Sequence, residues 1–334
     1  MTMLTRIIAK PFRIVALPAR VNHSPVSKVK VRTVVVIPLG PKCKMDYVID
    51  TISSVLHYIP EERAILIADD SQNPDFVRKI EAFYPDAIIL SSRQNLGKGS
   101  GLYVNLSIAY RYALDHFDFE VLLRLDTDAL MIGYGADEAI ASYFAAHPDV
   151  GLAGTYVKGN HHVDEWGNKW DSYGGRVYTI AIAKVVNLYF LRAPLSLWRM
   201  RRRLFKAIYH GYEFGDLIFG GSYAFSRAGL EALRAEGLLP MPNFLGVNLE
   251  EDHIFSVLMR SVNKELGNLT EVFGCVWKGL PASPEQLCEA DKKIIHSTRY
   301  YKKLLREGDI RTFFRSRREL ESKNGRLDDQ QTGS

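Results

Sequence analysis

Two aspartates separated by one residue, Asp126 and Asp128, directly follow the apolar run EVLLRL at 120–125. If that run is a strand, alternate residues point to the same side, and the two carboxylates face one way. Their oxygens are ligands that suit Mg²⁺ or Mn²⁺, and such an ion can bridge a diphosphate. The pair alone is weak evidence, because about one Asp-x-Asp motif is expected by chance in a chain of this size. An ordinary Asp-rich turn without metal would also have this sequence. Its place at a strand end makes it a candidate metal site.

A second group of acids, Glu250, Glu251 and Asp252, precedes an apolar run with helical spacing. A carboxylate in such a place can take a proton from an incoming hydroxyl and so act as a general base. The alternative is structural, since acids in the first turn of a helix interact favourably with its dipole. The residue types alone leave both interpretations open.

The residues before these acids alternate between strand-like and helix-like segments. The spacing predicts helices over 46–58 and 74–84. A short run of β-branched residues predicts a buried strand at 33–38, and short, largely apolar runs predict strands at 64–68, 87–91 and 120–125. Such alternation implies right-handed crossovers and a mostly parallel α/β sheet flanked by helices. Ligands of open parallel sheets bind at the carboxyl ends of the strands. Asp69 and Asp70 are therefore expected at the same edge as the pair at 126 and 128.

The segment after Asp149 is less regular. A strand is predicted at 150–157, and the polar, aromatic and Gly-rich stretch 158–175 is typical of a loop that covers a site. This stretch contains a potential second metal cluster, His161, His162 and Asp164, and three aromatic side chains that could stack on a bound ligand, Trp166, Trp170 and Tyr173. The alternative is a loop without metal, anchored to the core by its aromatic residues.

A pair of glycines and a serine, Gly220-Gly221-Ser222, precedes another apolar strand. Glycine lets the backbone approach a substrate closely, and we expect that role here. An ordinary turn is the alternative.

The composition excludes several classes of protein. The chain has 334 residues, of which 47% are hydrophobic and 24% charged, and this excludes disordered, collagen-like and disulfide-scaffold proteins. Its three cysteines fit no zinc spacing and indicate a reducing compartment. Residues 1–45 contain basic residues and no acid, so the rest of the chain is mildly acidic. This basic arm is typical of a chain beside a membrane surface, or of a disordered leader, and it lacks the apolar stretch of a secretory signal.

Residues 178–209 are apolar and then basic. Lys184, Arg192 and Pro194 interrupt the apolar part, so no membrane-spanning helix is predicted. The part at 198–209 is either an interfacial amphipathic helix or a helix packed on the body with a solvated basic face. The polar residues after about Glu319 predict a disordered tail.

Several of these segments occur in an order that resembles the family-2-like glycosyltransferases of the GT-A fold. The resemblance covers about residues 33–300 and rests on the ordered set more than on any single motif. The set comprises Thr33–Pro38, ADDSQN at 68–73, RQNLGKGSG at 93–101, LRLDTDA at 124–129, GGSYAFSRAGLEAL at 220–233 and NLEEDHIFSVLMR at 248–260.

The resemblance implies a nucleotide-sugar donor, most simply a UDP-sugar. By position it implies that Asp70, with Asp69 beside it, contacts the base. It implies that Arg93 and Gly97 lie near the diphosphate and that Asp126 lies by the ribose. Pro38 and Gly221 complete the predicted donor-binding set.

The resemblance also implies a Mn²⁺ or Mg²⁺ cofactor and inversion at the anomeric carbon. Asp128 would bind the metal, with Asp126 and a late histidine, His296, as further ligands. Asp252 would be the general base, and Glu251 is its substitute. The chemistry requires the same parts, because a cation must neutralise the departing diphosphate and a carboxylate must activate the acceptor from the opposite side.

The sequence therefore predicts a metal-dependent inverting glycosyltransferase that acts on a saccharide or lipid-linked saccharide. We expect it in the cytoplasm, peripherally at the inner membrane face, without a nucleic-acid partner. The alternatives are a sugar-nucleotide nucleotidyltransferase, whose Gly-rich first loop is missing here, and a non-catalytic saccharide-binding protein. The expected domains are a basic arm (1–31), a GT-A domain (32–300) and a basic helix with a disordered tail (301–334). Within the GT-A domain, the nucleotide-binding half is expected at 32–130. The acceptor half is expected at 131–300 and forms a C-terminal extension on the acceptor side.

Overall fold

A seven-stranded sheet forms the centre of the molecule. The computed structural model describes residues 28–159, 161–171, 174–182, 194–276 and 279–332. The helices are α1 (Met45–Tyr58), α2 (Pro74–Phe83), α3 (Ser100–His116), α4 (Ala136–Ala146), α5 (Gly174–Ile182), α6 (Pro194–Tyr209), α7 (Arg227–Ala235), α8 (Glu251–Ser261), α9 (Pro284–Glu289) and α10 (Glu307–Thr332), with a 3₁₀ turn at Pro242–Phe244.

The strands are mostly short. They are β1 (Val29–Lys30), β2 (Thr33–Leu39), β3 (Arg63–Asp69), β4 (Ile88–Ser91), β5 (Phe117–Asp118), β6 (Val121–Leu125), β7 (Ala129–Met131), β8 (Val150–Gly154), β9 (Tyr156–Val157), β10 (His161–Val163), β11 (Lys169–Asp171), β12 (Leu217–Ile218), β13 (Ser222–Ser226), β14 (Glu265–Asn268), β15 (Phe273–Cys275), β16 (Ile294–His296), β17 (Tyr300–Tyr301) and β18 (Leu305–Arg306).

The central sheet has the strand order β14-β8-β13-β6-β2-β3-β4. Only β13 runs antiparallel to its neighbours, β6 and β8. Every residue of β2 is buried, and alternate side chains enter different cores, Val34 and Val36 on one face and Val35 and Ile37 on the other. Helices α1, α2 and α4 cover the second face, and α3, α6, α7 and α8 cover the first. The predicted mostly parallel α/β sheet flanked by helices is confirmed.

The predicted strand at 150–157 is divided in two. Strand β8 stays in the central sheet, whereas β9 pairs antiparallel with β12 in a separate two-stranded sheet. The chain bends at Thr155, between the two strands. The apolar pattern is continuous across this bend because both halves are largely buried.

The loop predicted at 158–175 contains an antiparallel hairpin, β10 and β11. Asp164 Oδ1 accepts hydrogen bonds from the backbone N–H groups of Trp166, at 3.0 Å, and Asn168, at 2.7 Å, and so fixes the turn. Trp166 packs against a buried cluster, and the Lys292 ammonium lies 5.2 Å from its ring centroid. These contacts favour the anchoring role of Trp166 and a turn-forming role of Asp164. The side chains of His161, His162 and Trp170, and all of Tyr173, lie outside the described residues.

The tail predicted to be disordered after about Glu319 is helical, because α10 continues to Thr332. Ile310 and Phe314 of this helix are fully buried. Asp50 of α1 is also buried and forms ion pairs with the helix, including one with Arg311 at 2.9 Å. The prediction was wrong because the polar composition does not reveal that α10 docks on α1.

None of the helices in the described ranges is long and apolar enough to cross a membrane. Most of the basic arm, residues 1–27, lies outside the described residues, as do residues 183–193.

Candidate active site

Three predicted metal ligands meet at one edge of the central sheet. Asp126 directly follows β6, and Asp128 directly precedes β7. Strand β16 pairs antiparallel with β7 and places His296 opposite Ala129. His296 Nε2 therefore lies 3.3 Å from Asp128 Oδ1 and 4.0 Å from Asp126 Oδ2. We call Asp126, Asp128 and His296 the metal triad.

The donor atoms of the metal triad fit a divalent cation. One ligand atom from each side chain lies within 4.8 Å of the others. Both ring nitrogens of His296 are buried and make no hydrogen bond to the described residues. Two carboxylate oxygens and an imidazole nitrogen suit Mn²⁺, and carboxylates also suit Mg²⁺.

The two aspartates of the triad have different electrostatic surroundings. Burial raises the pKa of Asp126, although Arg124 opposes this effect. Burial also disfavours ionisation of Asp128, but His296 and Arg299 outweigh it and hold the pKa of this carboxyl well below its usual range. The Arg299 Nε atom lies 2.6 Å from Asp128 Oδ2. Asp128 is thus the aspartate most strongly held in its charged form.

Gly221 allows the triad to assemble. Its φ is +91°, and a Cβ at this position would lie 2.2 Å from atoms of the His296 ring. The backbone oxygen of Gly221 also accepts a hydrogen bond of 2.7 Å from the N–H of Asp126. The sequence analysis expected a substrate to approach this glycine closely, whereas in the structure the group that approaches it is the imidazole of His296.

The loop between the two aspartates is held by side chains far away in the sequence. Arg311 of α10 is 1% accessible, and its Nη2 atom donates to the carbonyl of Thr127 at 2.6 Å. The backbone N–H and the hydroxyl of Thr298 both donate to the carbonyl of Asp128, at 2.8 and 3.0 Å. Sequence reasoning missed Arg311, because nothing in the pattern of a basic helix distinguishes the arginine that reaches this loop.

A cleft of about 550 Å³ opens at the carboxyl ends of β2, β3 and β6. Five predicted site residues line it, namely Pro38, Asp70, Gly97, Asp126 and Asp128. Four cationic residues that the sequence analysis did not single out also line it, namely Lys42, Lys44, Lys98 and Arg299. A cavity of about 650 Å³ between α1 and α10 contains none of the predicted site residues. The cleft therefore combines cation ligands with a rim that attracts anions.

Besides Gly221, two of the predicted donor-binding residues lie outside the lining of the cleft. Asp69 is buried at the end of β3, where it accepts hydrogen bonds from the backbone N–H of Ser71 and the hydroxyl of Ser91. Arg93 is exposed and is not among the residues that line the cleft. The structure thus brings neither residue into the cleft.

Asp70 lies in the cleft wall and organises the neighbouring loop. Its carboxylate accepts hydrogen bonds from the backbone N–H groups of Leu96, at 2.8 Å, and Gly97, at 3.1 Å. The Ser92 hydroxyl donates to the same carboxylate at 2.7 Å. Three protein donors therefore already surround the group that the resemblance assigns to the nucleotide base.

Glu251 and Asp252, which we call the acid pair, lie in the first turn of α8. Asp252 Oδ2 accepts a hydrogen bond from the backbone N–H of Gly220 at 3.0 Å. Asp252 Oδ1 accepts one from the backbone N–H of His253 at 2.7 Å and lies 3.0 Å from His253 Nδ1. The geometry thus fixes the Asp252 carboxylate beside the glycine turn that also contacts the metal triad.

The two members of the acid pair have pKa values shifted in opposite directions. Burial raises the pKa of Glu251 to about 8, although Arg124 opposes this effect. Loss of solvation also disfavours the charged form of Asp252, but His253 and its backbone N–H more than compensate and lower the pKa of Asp252. At neutral pH Asp252 is therefore the charged member, as a proton acceptor must be.

Arg124 connects the acid pair to the metal triad. Its side chain is 1% accessible, and Nη2 lies 2.6 Å from Asp126 Oδ1 and 3.1 Å from Glu251 Oε1. Sequence reasoning missed this residue although a signal was present. An arginine inside a buried apolar strand requires acidic partners, and the two acidic motifs were the available ones.

Comparison with known proteins gives one family. The sequence profile described as "Glycosyl transferase family 2" matches residues 35–209, just over half of the chain. No curated protein sequence gives a significant match.

Several solved structures are similar to the chain. The mannosyltransferase PcManGT from Pyrobaculum calidifontis, in complex with GDP-Man and Mn²⁺, is 14% identical, with a TM-score of 0.39 over 74% of this chain and 57% of the other. The galactosyltransferase LgtC, in complex with donor and acceptor sugar analogues, is 10% identical, with a TM-score of 0.46 over 85% of this chain and 95% of the other. TarS from S. aureus is 14% identical, with a TM-score of 0.39 over 72% of this chain and 35% of the other. The chain thus spans little more than half the length of PcManGT.

Proposed function

Because the chain belongs to glycosyltransferase family 2 and is therefore a glycosyltransferase, we propose that it transfers a sugar from a nucleotide to a hydroxyl group in a metal-dependent, inverting reaction. The donor is proposed to be a UDP-sugar and the acceptor a saccharide or a lipid-linked saccharide. The convergence of the metal triad beside a cleft lined by cations carries this proposal. The catalytic domain would comprise residues 32–300, with a nucleotide-binding half at 32–130 and an acceptor half at 131–300.

The donor half of the reaction involves the cleft. A Mn²⁺ or Mg²⁺ ion bound by the metal triad would act as a Lewis acid that neutralises charge on the departing diphosphate. Lys42, Lys44 and Lys98 would hold the phosphates by charge attraction. His296 would bind the ion through a ring nitrogen, and the absence of a Cβ at Gly221 leaves room for the ring.

The acceptor half of the reaction involves the acid pair. Asp252 would take the proton of the acceptor hydroxyl while the oxygen forms a bond to the anomeric carbon and the bond from that carbon to the diphosphate breaks. Attack from the side opposite the leaving group inverts the configuration. The raised pKa of Glu251 leaves this residue protonated at neutral pH and disfavours it as the base.

The proposal is tested first by binding. Thermal unfolding is measured with UDP, GDP, CDP and dTDP, each with and without Mn²⁺, because a ligand that binds the folded state raises its stability. A Mn²⁺-dependent shift with UDP is expected, and Asp128→Ala should abolish it. A shift with another nucleotide would correct the donor, and the absence of any shift would contradict nucleotide binding.

The catalytic assignment is tested by turnover. Asp252→Asn is expected to suppress transfer and to leave the nucleotide-dependent thermal shift intact. Equal turnover of this variant and the parent would refute Asp252 as the base. The anomeric configuration of the product, read by NMR, decides whether the reaction inverts.

We further propose that the enzyme acts peripherally at the cytoplasmic face of a membrane. The basic residues of 1–45, a segment without acids, support this location. Loss of sedimentation with anionic vesicles upon deletion of residues 1–30 would assign the contact to the arm.

A further inference from the structure

The outer side of α6 carries an apolar and basic surface that the proposed chemistry does not use. Three aromatic side chains there are largely exposed, Trp198 at 52%, Phe205 at 51% and Tyr209 at 86%. Spacings of seven and four residues place them on one side of the helix. The opposite side is buried in the core through Leu197, Met200, Leu204 and Ala207. The helix is therefore apolar on both sides, and packing explains only the inner one.

Arginines lie among the exposed aromatic rings. The Arg201 guanidinium stacks 5.5 Å from the ring centroid of Trp198 and 5.7 Å from that of Phe205. Arg202, the next residue in the helix, is exposed. We call this surface the aromatic face; it comprises Trp198, Arg201, Arg202, Phe205 and Tyr209. The sequence of α6, PLSLWRMRRRLFKAIY, contains no acid.

Two other cations of α6 form ion pairs with one acid of a neighbouring segment. Arg203 Nη1 lies 2.8 Å from Glu236 Oε2, and Lys206 Nζ lies 3.3 Å from Glu236 Oε1. These pairs bind α6 to the segment that follows α7. The Arg201 guanidinium lies beside two exposed rings, and an external anionic surface can contact the rings and the charge together.

We propose that the aromatic face binds the anionic head groups of a phospholipid surface. Trp and Tyr side chains have an apolar body and a polar tip, which suits the boundary between head groups and acyl chains. Arginines attract lipid phosphates at the same depth. A second copy of the chain fits poorly, because symmetric pairing of this face would bring like charges together. Charge complementarity therefore favours an anionic membrane.

Helix α6 lies next to the helix that carries the acid pair. Helix α6 packs against α8, which begins at Glu251. A membrane bound by the aromatic face would thus lie one helix away from the acid pair. Delivery of a lipid-linked acceptor hydroxyl to Asp252 rests on the proposed function, whereas the lipid contact itself does not.

The test is sedimentation of the full chain with vesicles. One set contains about 30% phosphatidylglycerol in phosphatidylcholine and the other phosphatidylcholine alone, at about 0.15 M salt. We expect binding to the anionic vesicles only. The double variant Trp198→Ala/Phe205→Ala should weaken binding at least about tenfold, and Arg202→Gln should weaken it about fivefold.

A matched control separates lipid binding from a general loss of exposed aromatic surface. Phe83 of α2 is 43% exposed, so Phe83→Ala removes a comparable ring elsewhere and should bind like the parent. Thermal unfolding checks that each variant is folded. The inference is overturned if the parent does not bind anionic vesicles, or if the double variant binds as tightly as Phe83→Ala.

Two further results would show that something other than the aromatic face binds lipid, or that the aromatic face binds something other than lipid. If the double variant changes only the oligomeric state and not lipid binding, the face is an interface between copies and the inference fails. If deletion of residues 1–27 abolishes binding while the double variant does not change it, the arm carries the contact and the inference fails. The nucleotide and Mn²⁺ thermal shift is measured in parallel. Its absence in a parent that binds vesicles as expected would refute the proposed function and support the lipid contact.

Discussion

The metal triad and the acid pair lie at the same edge of the sheet but are built in different ways. The triad combines a loop after β6 with a histidine from β16, and its loop carbonyls are held by Thr298 and by Arg311 of the last helix. Both members of the acid pair belong to one element, the first turn of α8, and Asp252 is held by the backbone N–H groups of His253 and of Gly220. The triad should therefore respond to changes in the last helix, whereas the acid pair should respond mainly to changes in the glycine turn and at Arg124.

Two adjacent glycines separate the regions. A Cβ on Gly221 would enter the His296 ring, whereas a Cβ on Gly220 would lie 2.9 Å from Asp252 Oδ2. Alanine at one position thus perturbs the triad, and alanine at the next perturbs the acid pair. This neighbouring pair allows the two regions to be disturbed one at a time.

The largest effect is expected for Gly221→Ala. The new methyl group displaces the His296 ring, and a displacement of about 1 Å in a positioned group can reduce a rate about 100-fold. Mn²⁺ affinity, measured by calorimetry, and Mn²⁺-dependent transfer should both fall. Gly135→Ala is the control, because Gly135 also has a positive φ, of +77°, but a Cβ there would have no neighbouring atom within 4 Å. Equal Mn²⁺ affinity in the two variants would contradict the role of Gly221.

The next effect is expected for Arg311→Lys. Lysine keeps the charge near Asp50 but loses the planar fork that reaches Thr127, so the loop of the triad loosens. We expect about tenfold weaker Mn²⁺ binding and a loss of about 1–3 kcal/mol in unfolding free energy.

Arg318→Lys is the matched control for this change. Arg318 also pairs with Asp50 and has no described contact with Thr127. Its replacement should destabilise the docking of α10 without weakening Mn²⁺ binding. If both variants weaken Mn²⁺ binding equally, α10 acts only as general support and the specific role of Arg311 is wrong.

Local sequence patterns predicted the strand ends and the acidic motifs of the site. The strands before Asp70 and Asp126 were predictable because short apolar runs within an alternation of strand-like and helix-like segments favour buried parallel strands. Those strand ends also predicted the cleft edge. Asp128 and Asp252 were found because short acidic motifs are visible in sequence, and His296 was found only through the resemblance.

The contacts that hold these residues were not predictable from local patterns. Arg311 lies 184 positions from Thr127, and a basic helix offers no indication of which arginine will be buried. Asp69 and Asp70 are adjacent and chemically identical, yet the strand end directs one into the sheet and the other into the cleft wall. Such differences arise from tertiary packing, which a motif does not encode.

A smaller effect is expected for Gly220→Ala, on the side of the acid pair. The methyl group requires a shift of the Asp252 carboxylate, which lies at the end of a side chain and can adjust by rotation. We expect kcat to fall about tenfold, equivalent to about 1.4 kcal/mol, with unchanged Mn²⁺ affinity. Single-turnover kinetics and calorimetry check the two quantities. Weaker Mn²⁺ binding in this variant would show that the glycine turn couples the regions.

Replacing Glu251 should change the pH dependence of the unfolding free energy. Burial raises the pKa of Glu251 from 4.5 in the unfolded chain to about 8, so its contribution to stability is full below pH 4.5 and is lost as the pH rises towards 8. The free energy of unfolding should therefore decline over this window in the parent, by at most about 1.4 kcal/mol per pH unit. Glu251→Gln keeps the uncharged form and should flatten this decline.

The residues on either side of Glu251 provide a control variant and a contribution to stability with the opposite pH dependence. Glu250→Gln removes an acid whose side chain is 47% exposed and should leave the decline unchanged. Asp252 has a lowered pKa, so its contribution is present above pH 3.8 and is lost on acidification, and Glu251→Gln should retain this acidic limb. Urea denaturation between about pH 3 and 9 measures both limbs. An unchanged decline in Glu251→Gln would mean that Arg124 keeps Glu251 ionised, and the acid pair would then present two charged carboxylates to the acceptor.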